Sequence, residues 1–142
     1  MNVLIPLKQE LIEQQPWLFQ ELTLKIVDDA YSSEHFGDSF VTLESSSLRV
    51  KFIRDRGQIF IEVASPFDPE NWWNINDICE FILHKKIRPE FDLQAVATLL
   101  RNNLPALTDY LGPKLNETRR ELKKRIKQRE HEILKRAHKD NN

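Results

Sequence analysis

The chain has 142 residues, 40% hydrophobic side chains and a formal net charge of −1 at pH 7. This length and apolar content suit one domain that folds around its own core without help from a metal or a disulfide. A single cysteine excludes an internal disulfide, and charged residues interrupt every apolar run before it reaches the roughly 18 residues of a membrane span. The sequence also shows no signal-peptide pattern, so we expect a cytoplasmic protein.

Apolar residues at helical spacing predict helical structure over residues 7–22. Pro16 interrupts this pattern, so we expect two short helices or one helix kinked before Pro16. Residues 22–30 then alternate apolar and polar side chains with the two-residue period of a strand. The alternation resumes at residues 40–45 and predicts a second strand.

The clearest local pattern is an antiparallel hairpin over residues 48–64. Two alternating runs flank Arg54-Asp55-Arg56-Gly57, and Gly57 suits the left-handed position of a bulged turn. The alternation assigns six side chains to the buried face: Leu48, Val50, Phe52, Ile59, Ile61 and Val63. Because proline cannot donate to a sheet ladder, we expect Pro66 and Pro69 to end the sheet.

Three helices are predicted after the sheet. Asn74 is a favourable N-cap and predicts a helix over residues 75–84. A second helical pattern covers residues 91–100, and a third runs from Pro105 to Gly112. Strands followed by helices predict an α+β domain over residues 1–112, with an antiparallel sheet of about four strands packed by helices.

Residues 113–142 predict one long helix within the same folding unit, because neither glycine nor proline occurs after Pro113. From Pro113 to His138 this helix would measure about 38 Å at about 1.5 Å per residue, so we expect its outer part to project. Its apolar residues recur with an eleven-residue period and form one thin stripe. Pairing with another helix through this stripe, and hence an oligomer, is an open alternative.

Charge is divided unevenly along the chain. Residues 1–113 hold 10 Lys+Arg and 17 Asp+Glu, whereas residues 114–142 hold 11 and 5. The predicted basic face of the last helix comprises Arg119, Arg120, Lys123, Lys124 and Lys127. Such asymmetry is typical of a nucleic-acid arm, of a helix docked on an acidic body, or of a solvated helix. Since no aromatic residue follows Tyr110 for base stacking, any nucleic-acid binding is expected to be nonspecific and sensitive to salt.

No residue pattern predicts a catalytic centre, a metal or a cofactor. The histidines, His35, His84, His131 and His138, lack the spacing of metal ligands. Cys79 lies on the apolar stripe of the predicted 75–84 helix, where a thiol is an ordinary core residue. The chain contains no Gly-x-Ser-x-Gly, phosphate loop or dinucleotide fingerprint. We therefore rank an enzyme below a binding protein.

Trp72 and Trp73 form the most unusual local feature. We expect one indole to cover the edge of the core and the other to be half exposed. The exposed indole, beside Asp68 and Glu70, would anchor a protein interface, since tryptophan is enriched among residues that dominate binding energy. These four residues are the predicted partner-binding site, and the acidic pair favours a basic partner.

Five features follow one another over residues 22–84: a broken strand, the hairpin around Arg54-Asp55-Arg56-Gly57, a proline-bearing link, Trp72-Trp73 and the helix sequence of residues 76–82. This order resembles the small bacterial immunity proteins that neutralise polymorphic or contact-dependent toxins. The resemblance implies stoichiometric binding of a cognate toxin domain, often with acidic surface over a basic nuclease site, and it assigns no role to a single residue. The rival hypotheses are a nonspecific nucleic-acid binder acting through residues 114–139 and an enzyme.

Overall fold

The structure, a computed structural model, describes residues 5–32 and 38–140. His35 lies outside these ranges. The elements in chain order are α1 (Leu7–Gln14), α2 (Trp17–Gln20), β1 (Lys25–Ser32), β2 (Asp38–Glu44), β3 (Arg49–Asp55), β4 (Gln58–Ser65), β5 (Asp68–Asn74), α3 (Ile75–Leu83), α4 (Leu93–Asn102), α5 (Leu104–Tyr110) and α6 (Leu115–Asp140). In the described part of the chain, no helix has the length and apolarity to cross a bilayer.

The five strands form one antiparallel sheet in the order β1-β2-β3-β4-β5. The prediction of an α+β fold with a long C-terminal helix is confirmed, but the sheet has five strands rather than about four. The additional strand is β5, so the expectation that Pro66 and Pro69 end the sheet was wrong. Pro69 is tolerated because β5 is an edge strand, where a missing N–H need not leave a neighbouring strand unpaired.

The β3–β4 hairpin occupies the predicted residues, and all six predicted inward side chains are buried. Its turn differs from the expectation. Asp55 pairs with Gln58, so only Arg56 and Gly57 connect the strands, with φ of 52° and 81°. Two successive positive φ values are typical of a type I′ turn, whose twist matches that of the strands, rather than of a bulged turn.

The helices cover one face of the sheet. Pro16 separates α1 from α2 as predicted, and α1 packs on β2 through the buried Leu7 and Leu11. The Asn74 side chain accepts a hydrogen bond from Asn76 N at 2.8 Å and caps α3, which lies against β4 and β5, and α4 also packs on β4. The opposite face of the sheet carries no helix among the described residues.

A partly buried ion pair joins α1 to the end of the β3–β4 hairpin. The Arg54 guanidinium is bound to the Glu10 carboxylate and donates to Ile5 O at 2.8 Å. Burial lowers the pKa of Arg54, but the carboxylate beside it stabilises the charged form. The end of β3 is thereby attached to the N-terminal helix.

The first half of α6 belongs to the same core as the sheet. Leu115, Thr118 and Leu122 are buried, and α6 contacts α3 and α5. The Thr118 hydroxyl donates to Tyr110 O at 2.6 Å, which fixes the helix to the end of α5. In contrast, residues 130–139 are all exposed, so the outer part of the helix projects.

Candidate protein interface

β5 directs the two tryptophans to opposite faces of the sheet, because successive side chains alternate along a strand. Trp73 pairs with Val63 of β4 and lies in the core, with 5% of its surface exposed. Trp72 is half-buried on the face that lacks helices. The buried indole is therefore Trp73, and Trp72 is the one that a partner can reach.

Two cations of the chain itself cover the ring of Trp72. Arg49 Cζ lies 4.8 Å and Lys51 Nζ lies 4.4 Å from the centroid of the indole. These are the geometries of cation–π contacts. A basic partner approaching Trp72 would meet Arg49 and Lys51, so the immediate surroundings of this indole are not acidic.

The two carboxylates of the predicted site have different environments. Asp68 Oδ2 lies 3.0 Å from Arg119 Nε and accepts a hydrogen bond from Asn71 Nδ2 at 3.2 Å. Glu70 is exposed. The four predicted residues therefore do not form one surface, and Glu70 with part of Trp72 is what remains accessible.

Some basic residues of α6 form ion pairs with the rest of the domain, and others are exposed to solvent. Arg119 faces Asp68, and Arg129 Nη2 lies 2.7 Å from Asp77 Oδ1, an interaction that raises the pKa of Arg129. The other four members of the predicted basic face are exposed: Arg120, Lys123, Lys124 and Lys127. Part of the positive charge therefore attaches the helix to the acidic body, which is one of the three interpretations that the sequence left open.

Three groups with potential reactivity, Cys79, Asp77 and Glu80, are buried or engaged by other groups. Burial raises the pKa of the Cys79 thiol to about 12, so it is protonated at neutral pH and is a poor nucleophile. A cleft of about 460 Å³ lies between β4, α3 and the segment after α3. In it Asp77 is bound to Arg129, and Glu80 Oε1 accepts the N–H of Ile87 at 3.0 Å. Within residues 5–32 and 38–140, no three His, Cys, Asp or Glu side chains are grouped to hold a metal ion.

Sequence reasoning missed the surface formed by β1. This strand pairs with β2 on one side, and no described residue pairs with its other side. Val27, Asp28, Asp29 and Tyr31 are exposed along it, with 52% of Val27 accessible at a bulge. Neither carboxylate forms an ion pair with a described residue. Adjacent aspartates are unusual in a strand, and this was the available signal for an exposed edge.

An apolar groove of about 460 Å³ lies beside the first residues of β1, on the side of the sheet that α1 and α2 cover. Its lining is Ile12, Pro16, Phe19, Gln20, Lys25 and Ile26. Ile12 points outward from α1 with 49% of its surface exposed. The edge strand and the groove together form one surface, which we name the β1 edge.

The projecting part of α6 presents a second apolar surface. Ile126, Ile133 and Leu134 are exposed, Ile133 to 58%. Ile126 and Ile133 continue the predicted stripe that starts with the buried Leu115 and Leu122, and Leu134 lies beside it. The body therefore covers only the first half of the stripe that sequence periodicity predicts.

Comparisons with protein-family models, with curated proteins and with solved structures found no match. The functional interpretation therefore depends on the surfaces of this chain.

Proposed function

We propose that this chain is a non-catalytic cytoplasmic domain that binds another protein stoichiometrically, and that the partner is basic. The observation that carries this proposal is the combination, on the β1 edge, of exposed apolar side chains and of carboxylates that form no ion pair with a described residue. Exposed apolar surface favours association, and carboxylates select partners of opposite charge. Asp28 and Asp29 supply the charge, while Val27 and Ile12 supply the apolar surface.

Neutralisation of a bacterial toxin is the specific form of binding that we propose. Residues 1–113 carry seven more acidic than basic side chains, and the likeness of residues 22–84 to immunity proteins points in the same direction. A toxin that acts on nucleic acid has a basic active-site surface, to which an acidic domain is complementary. Such complementarity speeds encounter more than it strengthens the final complex.

The test uses the protein encoded by the adjacent open reading frame, titrated with this chain in a calorimeter and assayed for toxicity. We expect one binding site per chain, loss of the toxin's activity at equimolar ratio, and an association rate that falls with ionic strength. Absence of a complex would contradict the proposal. So would turnover by the chain alone that a single polar substitution abolishes while the fold is retained.

Glu70 and Trp72 are a second candidate surface for the same partner. Trp72→Ala removes the accessible indole without touching the core, unlike any change at Trp73. If Trp72→Ala weakens the complex and Asp28→Lys does not, the interface lies on β5 and the helix-free face of the sheet. The reverse result places it on the β1 edge.

The exposed cations of α6 favour one rival function, nonspecific nucleic-acid binding. Truncation after Gly112 cannot test it cleanly, because this removes the buried Leu115 and Leu122 together with the charges. The double variant Lys123→Glu/Lys127→Glu reverses exposed charge only. Salt-sensitive binding of a labelled DNA duplex that this variant abolishes would support the rival, whereas no binding by the wild-type chain would contradict it.

A further inference from the structure

The two edge strands of the sheet, β1 and β5, are protected to different degrees against pairing with another strand. An edge strand presents unpaired N–H and C=O groups that can accept another strand. At β5, Pro69 removes one donor and Arg119 of α6 binds Asp68. β1 contains no proline, and no helix is attached to it by an ion pair within the described residues. As far as residues 5–32 and 38–140 show, the sheet is therefore open to a further strand at β1.

The charges of β1 disfavour a second copy of the same chain. A symmetric antiparallel pairing centred on β1 keeps the faces of the two sheets aligned, so it would place Asp28 opposite Asp28, or Asp29 opposite Asp29, of the other copy. Like charges directly opposite one another destabilise a strand pair. The same carboxylates would stabilise a strand that carries lysine or arginine at those positions.

We propose that the β1 edge binds an extended segment of a partner protein as a sixth strand of the sheet. This inference rests on the proposed protein-binding function and specifies the ligand. The segment has two consecutive basic residues, one facing Asp28 and the other facing Asp29. It also has an apolar residue that enters the groove formed by Ile12, Phe19 and Ile26.

The register of the sheet determines this order of side chains. Asp28 pairs with Thr42, on the face without helices, and Asp29 pairs with the buried Val41, on the face covered by helices. Neighbouring residues of an added strand also alternate between the two faces, so consecutive basic residues meet the two carboxylates. On the helix-covered face, the next side chain of the added strand is two positions from the basic residue that faces Asp29. This side chain lies near Ile26. That position requires an apolar residue.

Protection of an edge against aggregation explains only part of these features. Charges and a bulge are ordinary means of preventing edge-to-edge pairing, and β1 has both, with the bulge between Ile26 and Asp28. Protection does not require an apolar groove beside the strand or an isoleucine exposed on α1. Main-chain pairing combined with a pocket for alternate side chains is the arrangement by which proteins recognise extended peptides.

The probe is a synthetic peptide, Thr-Val-Thr-Val-Lys-Lys-Val-Thr-Val, which has a valine two positions from the lysine facing Asp29 in either strand orientation. Its matched controls carry Glu-Glu in place of Lys-Lys, or N-methyl groups at every second residue, which prevent ladder formation. Affinity is measured by calorimetry, and hydrogen exchange of the amides of residues 25–32 is measured by NMR. We expect the Lys-Lys peptide to bind and to slow this exchange, and both control peptides to bind at least about tenfold more weakly, as expected for like-charge contacts and lost main-chain hydrogen bonds.

Two variants of the chain test the two components of the site. Asp28→Lys/Asp29→Lys should lower the affinity for the Lys-Lys peptide at least about tenfold and raise the affinity for the Glu-Glu peptide. Ile12→Ser should lower the affinity for the Lys-Lys peptide about three- to tenfold, because apolar contact in the groove is lost. The matched controls alter exposed side chains elsewhere: Glu90→Lys/Glu130→Lys and Ile133→Ser, each within about twofold of wild type.

Three outcomes would overturn the proposal. The first is peptide binding without slower exchange in β1, and the second is an equal loss of affinity in the Glu90→Lys/Glu130→Lys control. The third is a wild-type dimer whose β1 amides become protected as concentration rises, since the occupant is then a second copy. If a toxin binds stoichiometrically while β1 exchanges as in the free chain, strand addition fails and the proposed function stands. If the peptide binds as expected and no toxin does, the proposed function fails.

Discussion

At the scale of single residues, two backbone and side-chain environments have clear consequences for stability. Arg56 has φ of 52° and an exposed side chain. A non-glycine residue in the left-handed region is disfavoured, and asparagine tolerates it better than most. Arg56 is also the first of the two turn residues, the position where Asn-Gly is the preferred type I′ sequence.

Arg56→Asn is expected to raise the free energy of unfolding by about 0.5–1 kcal/mol, because it relieves this backbone cost and removes no packed side chain. Equilibrium urea denaturation measures the change. The control, Arg56→Val, puts a β-branched residue at the same φ and should be destabilising. A stability of Arg56→Asn equal to or below that of wild type would contradict the assignment of the turn.

Cys79 is a buried thiol whose pKa is raised from 9.0 to about 12 by loss of hydration. The folded state thus holds the thiol proton more tightly than the unfolded state does. The corresponding stability is fully present below pH 9.0 and is lost as pH rises from there toward about 12. We expect the free energy of unfolding of wild type to approach that of Cys79→Ala over this interval, by up to about 1.4 kcal/mol per pH unit.

The same burial makes Cys79 unreactive in the native protein. A thiol reagent at pH 8 should modify it only at the rate of unfolding, and fully in denaturant. Rapid modification of the folded chain would show that the thiol is accessible and would remove the basis for the pH dependence.

At the scale of elements, α6 consists of a packed half and a projecting half. Leu115 and Leu122 are buried in the common core, whereas residues 130–139 make no buried contact. Amphipathic periodicity runs through both halves, and only the position of the body distinguishes them. The two halves should therefore differ sharply in their contribution to stability.

Deletion of residues 130–142 is expected to change the free energy of unfolding by less than about 0.5 kcal/mol, as is usual for exposed segments. Truncation after Gly112 should abolish cooperative unfolding, since each buried leucine contributes about 2–5 kcal/mol. Thermal denaturation followed by circular dichroism distinguishes the two truncations. A large loss of stability in the shorter deletion would mean that the projecting half packs on the chain or on a second copy.

At the scale of the whole molecule, charge is distributed so that an acidic body holds a basic helix. Arg119 is bound to Asp68 and Arg129 to Asp77, which attaches α6 at two points along its length. These ion pairs neutralise part of the acidic charge near β5 and α3. The carboxylates of Asp28 and Asp29, which pair with no cation in the described part of the chain, lie at the opposite edge of the sheet, which favours that edge for a basic partner.

Arg119→Gln/Arg129→Gln is expected to lower the free energy of unfolding by about 1 kcal/mol at low salt, since partly exposed ion pairs contribute about 0.2–1 kcal/mol each. The loss should shrink in high salt, where such pairs are screened. Arg120→Gln/Lys127→Gln removes two exposed cations from the same helix and should be nearly neutral. Equal effects of the two double variants would indicate that only net charge matters.

Sequence alone determined the α+β class, the β3–β4 hairpin with its six inward side chains, the break at Pro16 and the long helix α6. These features depend on side-chain periodicity, caps and helix-breaking residues, all of which act over a few neighbouring positions. Of the predicted interface, sequence determined that one indole belongs to the core, but the adjacent Trp72 and Trp73 could be assigned only after β5 was known.

Tertiary structure alone decided the remaining features. Pro69 is compatible with a strand because β5 lies at an edge, and that position depends on the whole sheet. The pairing of Arg119 and Arg129 with the body depends on where α6 crosses β5 and α3. Likewise, Asp28 and Asp29 became a candidate site because β1 is the outermost strand beside an apolar groove. Such contacts join residues far apart in sequence, and local patterns carry no information about which distant residues will meet.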